Sequence, residues 1–78
     1  MKINRKEQFK ILCSNVKSIR TSAKIGVEEM AQKLGITVSE LEAIESGVIP
    51  ESVTVEILFR INTHFGIHPK NMFDPINL

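Results

Sequence analysis

The chain has one cysteine, three prolines and four glycines in 78 residues, and no long apolar run. A lone cysteine, Cys13, forms no internal disulfide, which suits a reducing compartment, so a cytoplasmic location is expected. No apolar stretch approaches the ~18 residues of a membrane span, and the opening MKINRKEQFK is charged where a secretory leader would be apolar. No membrane association is therefore expected. A glycine-rich phosphate loop, a paired-carboxylate site and a nucleophile–histidine–acid triad are all missing. An enzyme, a cofactor and a small-molecule substrate are accordingly not expected. His64 and His68 are four apart, but Gly66 between them should break a helix, and no cysteine or acidic cluster completes a zinc site, so no metal is expected. Cys13 lies on an apolar face without a histidine partner and reads as a small core residue.

What remains is a chain of 42% hydrophobic residues, enough to fill a core in one domain near the lower size limit for unaided folding. A single domain is expected across residues 1–78, with 74–78 as a C-terminal tail. The net charge of +1 hides an uneven distribution. Residues 1–24 carry seven Lys and Arg against Glu7 alone, whereas residues 25–78 carry three against eight acids. A basic segment attracts phosphate and an acidic one repels it.

The centre of the chain, residues 27–47, reads VEEMAQKLGITVSELEAIESG. Val27, Met30, Ala31 and Leu34 form an apolar stripe at helical spacing, and Gly35 supplies the left-handed position that ends such a helix. Thr37 and Glu40 then form a T-x-x-E capping box, with Ile36 and Leu41 placed as a hydrophobic staple. Leu41 and Ile44 face inward, and Gly47 closes the unit. The spacing predicts helix, three-residue turn, helix. That is a helix-turn-helix at about residues 27–46, whose second helix, about 38–46, suits the DNA major groove.

Residues 25–47, I-G-V-E-E-M-A-Q-K-L-G-I-T-V-S-E-L-E-A-I-E-S-G, resemble the lambda repressor-like family of the Cro and Xre class, which typically reads L-S-Q-E-E-L-A-x-K-L-G-V-S-x-x-x-I-S-x-I-E-N-G. Upstream, N-V-K-S-I-R at residues 15–20 is similar to the family's N-I-K-x-I-R. Downstream, residues 57–73 are similar to its last helix pair, ending in G-I-x-P-x-x-M-F. The resemblance implies an all-α, compact five-helix bundle and a sequence-specific DNA-binding transcriptional regulator. It also implies an Arg20–Glu45 ion pair between the first and third helices. It places the DNA contacts at Val27, Val38, Ser39, Glu42 and Ala43, beside the cap Thr37. Where the family often has Gln, Arg or Asn, this chain offers methyl groups, one hydroxyl and one acid. It also lacks the basic residues that commonly follow Gly47.

Outside the motif, Phe9, Leu12, Cys13, Val16 and Ile19 give the first helix, about residues 5–21, an inward face. Lys6, Lys10, Lys17 and Lys24 fall on an adjoining stripe, either a solvated face or a phosphate-facing one. With no basic residue in the turn before the third helix or in the loop after it, phosphate contacts are expected from Lys17 on that stripe and from Lys33. In the fourth helix Val55, Leu58, Phe59, Ile61 and Phe65 are expected to face the core. Met72, Phe73, Ile76 and Leu78 exceed what a small core needs and are expected to serve a homodimer reading two half-sites. The alternative use of the same scaffold is protein–protein interaction, as in an antirepressor, with little DNA affinity.

Overall fold

The computed structural model describes residues 5–76. Asn4, which with Glu7 three residues on is the expected cap of the first helix, and Leu78 lie outside the described residues, as does the side chain of Lys6. Four α-helices follow one another: α1 (Arg5–Ser22), α2 (Val27–Leu34), α3 (Val38–Glu45) and α4 (Glu56–Phe65), then a 3-10 helix (Pro69–Phe73). No strand occurs among the described residues. The fold is the expected all-α bundle, with the fifth helix a single 3-10 segment. It opens on His68, whose Nδ1 accepts from the Lys70 amide at 3.2 Å. Its five residues start with proline, too short a run to settle into α geometry.

The apolar stripes meet in one core. Leu12, Cys13, Val16 and Ile19 enter it from α1, Met30, Ala31 and Leu34 from α2, and Leu41 and Ile44 from α3. Ile57 and Ile61 of α4 and Met72 of the 3-10 helix close it. The radius of gyration, 11.6 Å, matches the ~11.5 Å expected of a compact chain of this length.

Two helix ends share one closure. At the end of α2, Gly35 is left-handed at φ 71°, and the Ile36 amide donates to the Ala31 carbonyl at 3.0 Å. After α3, Val48 donates to the Ala43 carbonyl at 2.9 Å. This 6→1 bond satisfies an orphan carbonyl and turns the chain sharply. A side chain at Gly35 would also meet the Arg60 guanidinium, 2.8 Å from the position of an added Cβ. The α1–α2 turn uses a lysine for a similar bend: Lys24 has φ 59°. A left-handed lysine carries ~1 kcal/mol or more of strain that glycine would not, so Lys24 leaves the helical stripe and belongs to the turn.

One tertiary clasp holds the C-terminal segment. Buried Asn15 donates from Nδ2 to the carbonyls of Met72 at 2.8 Å and Asp74 at 2.9 Å, and its Oδ1 accepts from the Ile76 amide at 3.4 Å. The clasp ties α1 to a stretch some 60 residues on, which brings Met72 into the core.

Three expectations about apolar residues are corrected. Met72 is fully buried and offers nothing to a dimer, while Phe73 and Ile76 pack half-buried against the core. In α4 it is Ile57 that turns inward; Val55, the N-cap of that helix, and Phe59 are 69% and 60% exposed. Phe9 is 44% exposed, because α1 runs past the edge of the core at its start. In α4 apolar residues occupy most sides of the helix, so spacing alone does not select the buried ones.

Candidate nucleic-acid interface

The interface is built on α3, and two devices fix that helix. At its start Thr37 Oγ1 accepts from the Glu40 amide at 3.0 Å, and the Glu40 carboxylate accepts from the Thr37 amide at 2.8 Å. This closed capping box is worth ~1 kcal/mol through its cap residue. The Ser52 hydroxyl also donates to Glu40, which pins the loop after α3 back onto its first turn. At the other end Arg20 grips Glu45 with both prongs, Nε to Oε2 at 2.7 Å and Nη2 to Oε1 at 3.0 Å. Its remaining nitrogen, Nη1, donates to the Ile25 carbonyl at 3.1 Å. One guanidinium thus joins α1, the following turn and α3 in the planar geometry arginine favours.

These devices also occupy two of the three acids of α3. Glu45 is engaged by Arg20 and Glu40 by its own cap, leaving Glu42 as the free carboxylate of the helix. The Glu40 carboxyl is held below the usual glutamate range, chiefly by the Ser52 hydroxyl and then by the Thr37 amide. The Arg20 guanidinium is pushed above its already high value by its hydrogen bond to Glu45.

With the inward side taken by Leu41 and Ile44, the outer face of α3 presents Ser39, Glu42, Ala43 and Ser46. Their spacing of i, i+3, i+4 and i+7 makes one straight stripe. Ser39, Glu42 and Ser46 are exposed, and Ala43 is half-buried. Ser46 is the member that the family pattern did not pick out, although it continues the same helical spacing one turn further.

A family model described as Helix-turn-helix matches residues 16–70. The chain belongs to the helix-turn-helix family. Neither a curated protein nor a solved structure matches it. The match takes in α2, the turn, α3 and α4, and supports a lambda repressor-like domain. This is a DNA-binding helix-turn-helix domain, of a family generally without enzymatic activity.

Within this helix-turn-helix, the other residues expected at DNA are spread over three places. Val38 and Val27 lie half-buried against the core, so each shows only part of its side chain. Lys17 is exposed and, with Lys10 and Ser14, walls a hollow of about 360 Å³ whose far side is Glu45, Ser46 and Gly47. The basic face of α1 therefore borders the C-terminal end of α3. Lys33 stands apart from α3, 3.8 Å from Glu29 and in a hollow with Glu28, Gln32, Arg60 and His64. Glu28 and Glu29 are exposed in the first turn of α2, where they complement the helix dipole and stand in for the side-chain cap that Gly26 lacks. Cys13 is buried, and burial pushes its thiol pKa up, as for an unreactive core residue. Among the described residues no group of His, Cys, Asp and Glu is arranged for a metal. No helix there is long and apolar enough to cross a membrane.

Proposed function

We propose that this domain serves a sequence-specific transcriptional regulator of the Cro/Xre type, acting in the cytoplasm on double-stranded DNA. The observation that carries the reading is the outer stripe of α3: it is open, and both ends of its helix are locked by the Thr37–Glu40 box and the Arg20–Glu45 pair. In a major groove, Ser39 offers one tolerant hydrogen bond, and Val38 and Ala43 offer methyl contact to thymine. Glu42 accepts from the cytosine amino group and repels phosphate. Thr37 and Val27 sit at the helix starts, where backbone amides meet the DNA backbone, and Lys17 and Lys33 supply cations. Operators rich in thymine under α3 follow from this chemistry.

Few cations reach the backbone, so affinity is modest. With ~2–4 phosphates neutralised per chain, binding weakens by ~0.9 log units per phosphate for each tenfold rise in salt, and non-specific dissociation constants lie near or above ~10⁻⁵ M at physiological salt. Fluorescence anisotropy with a randomised duplex tests this, starting at about 20 mM salt, where screening is weak. The parent should bind with that shallow slope, and Glu42→Gln should bind most sequences more tightly. Absence of binding by both would refute the proposal. A second reading, the scaffold as a protein-interaction module, is favoured by the exposed apolar side chains Phe9, Val55 and Phe59.

A further inference from the structure

The hydroxyls of Thr21, Ser46 and Thr63 turn back on carbonyls of their own helices. Ser52 does something different. It is exposed on the loop between α3 and α4, and its hydroxyl donates to the Glu40 carboxylate on another element. That carboxylate also accepts from the Thr37 amide and closes the cap of α3. One acid thus latches the loop and the first turn of α3 together. Ile49 and Val53 pack against the core, and the Val53 amide donates to the Pro50 carbonyl at 3.0 Å, so the loop holds Glu51 and Ser52 outward at its tip. Residues 48–54 belong to no helix, so a modifying enzyme reaches Ser52 without unwinding one.

We infer that Ser52 is a phosphorylation site whose modification unlatches this loop and loosens the start of α3. The co-reactant is a nucleoside triphosphate held by a protein kinase. Ser52 Oγ attacks the terminal phosphorus, and the Oγ–P bond forms as the bond from that phosphorus to its bridging oxygen breaks. The nucleoside diphosphate leaves with the electron pair, and the hydroxyl proton passes to the kinase's base. The product has lost the proton that bonded Glu40 and has gained nearly two negative charges beside that carboxylate.

The surrounding charges set the direction of the response. A phosphate among arginines orders a loop, whereas one beside a carboxylate disrupts it. No Lys or Arg occurs in residues 34–59. Lys10 shares a hollow with Glu51, but Ser52 does not line it. The positive end of α3 attracts the new charge, yet its half-charge is smaller than the full charge of Glu40. Repulsion therefore wins. Glu40 swings away from the phosphate and releases the Thr37 amide, so the capping box opens with the latch. Weaker duplex binding by the modified chain rests on the function proposed above; the opening of the cap does not.

A chain of 78 residues is within reach of chemical synthesis, which installs phosphoserine at position 52 alone. Four proteins are compared without DNA: the parent and Glu40→Gln, each with and without the phosphate. Glutamine keeps the capping box but removes the charge. Because Ser52 is exposed, all four should show the same helical circular dichroism. In the parent, phosphorylation should speed amide exchange at positions 37 and 40 by about fivefold, the factor that one lost hydrogen bond gives. In the Glu40→Gln background it should change exchange little. The phosphorus resonance should titrate above its usual midpoint of about pH 6 in the parent, and lower in Glu40→Gln, because a neighbouring carboxylate opposes the second ionisation. The chain recovered from its own cells through growth and starvation should carry the phosphate on Ser52 by mass-spectrometric mapping. Unchanged exchange in the phosphorylated parent, equal acceleration in both backgrounds, coincident phosphorus titrations, or no phosphate on Ser52 in any growth state would each overturn the inference. Since DNA is absent from these measurements, none of them bears on whether α3 binds a duplex.

Discussion

Breaking the Arg20–Glu45 pair tests how α3 is held. The two side chains are 18% and 10% exposed, and the pair makes two charge-assisted hydrogen bonds. Each such bond contributes ~1.5–3 kcal/mol, and the direct attraction at this separation is ~4 kcal/mol before desolvation is subtracted. Partial solvent access reduces the net effect, so Glu45→Gln and Arg20→Met should each cost ~2 kcal/mol. The double variant should cost no more than ~3 kcal/mol, since the second change removes a charge already unpaired. The coupling is thus ~1 kcal/mol or more. In a domain of this size each single variant should melt roughly 10 °C below the parent. Urea unfolding of the four proteins, followed by circular dichroism, measures the cycle. Losses that add to within ~0.5 kcal/mol would show that the two charges act independently. Repetition at about 1 M salt should leave most of the coupling in place, because a partly buried pair is screened less than an exposed one.

Asn15→Ala should lower stability by ~2 kcal/mol in urea unfolding, from three lost hydrogen bonds at ~1 kcal/mol each, less some rehydration. Asn15→Asp should cost more, since at neutral pH it sets a carboxylate against the Met72 and Asp74 carbonyls; a wild-type midpoint for either variant would contradict the clasp. Glu40 gives a pH signature. Its folded-state pKa is depressed, so its contribution is fully present above the unfolded value and is lost as pH falls through the folded one. The Ser52 hydroxyl is the largest cause, so Ser52→Ala should show a flatter fall in urea midpoint than the parent on acidification below the ordinary glutamate range. Parallel curves for the two proteins would argue against that hydrogen bond.

The helix-turn-helix was legible because its signals are short-range. The Thr37–Glu40 box spans three residues, the Gly35 bend needs one left-handed position, and the stripe from Val27 to Leu34 spans two helical turns. Each is decided by backbone geometry that any chain with those residues meets in the same way. The Arg20–Glu45 pair reaches further, and it was the family resemblance that brought its two residues together. On the outer face of α3, the residue types could be read directly. That Glu40 and Glu45 are engaged elsewhere while Glu42 is free follows only from where Ser52 and Arg20 end up.

Tertiary packing decided what periodicity left open. Val55 at the N-cap of α4 and Ile57, Leu58, Phe59 and Ile61 within it are all apolar, so several faces of the helix were equally good candidates for the core. The neighbours α2 and the 3-10 helix chose the Ile57–Ile61 side and left Phe59 in solvent. Met72 looked like surplus apolar surface until Asn15 drew its segment onto α1. No local pattern announces that clasp, because its partners are backbone carbonyls far along the chain, and a backbone group carries no trace in the residue sequence. The sequence by itself determined the motif, its turns and the chemistry α3 presents. The packing of α1, α4 and the C-terminal segment determined which apolar residues fill the core and which form an outward face.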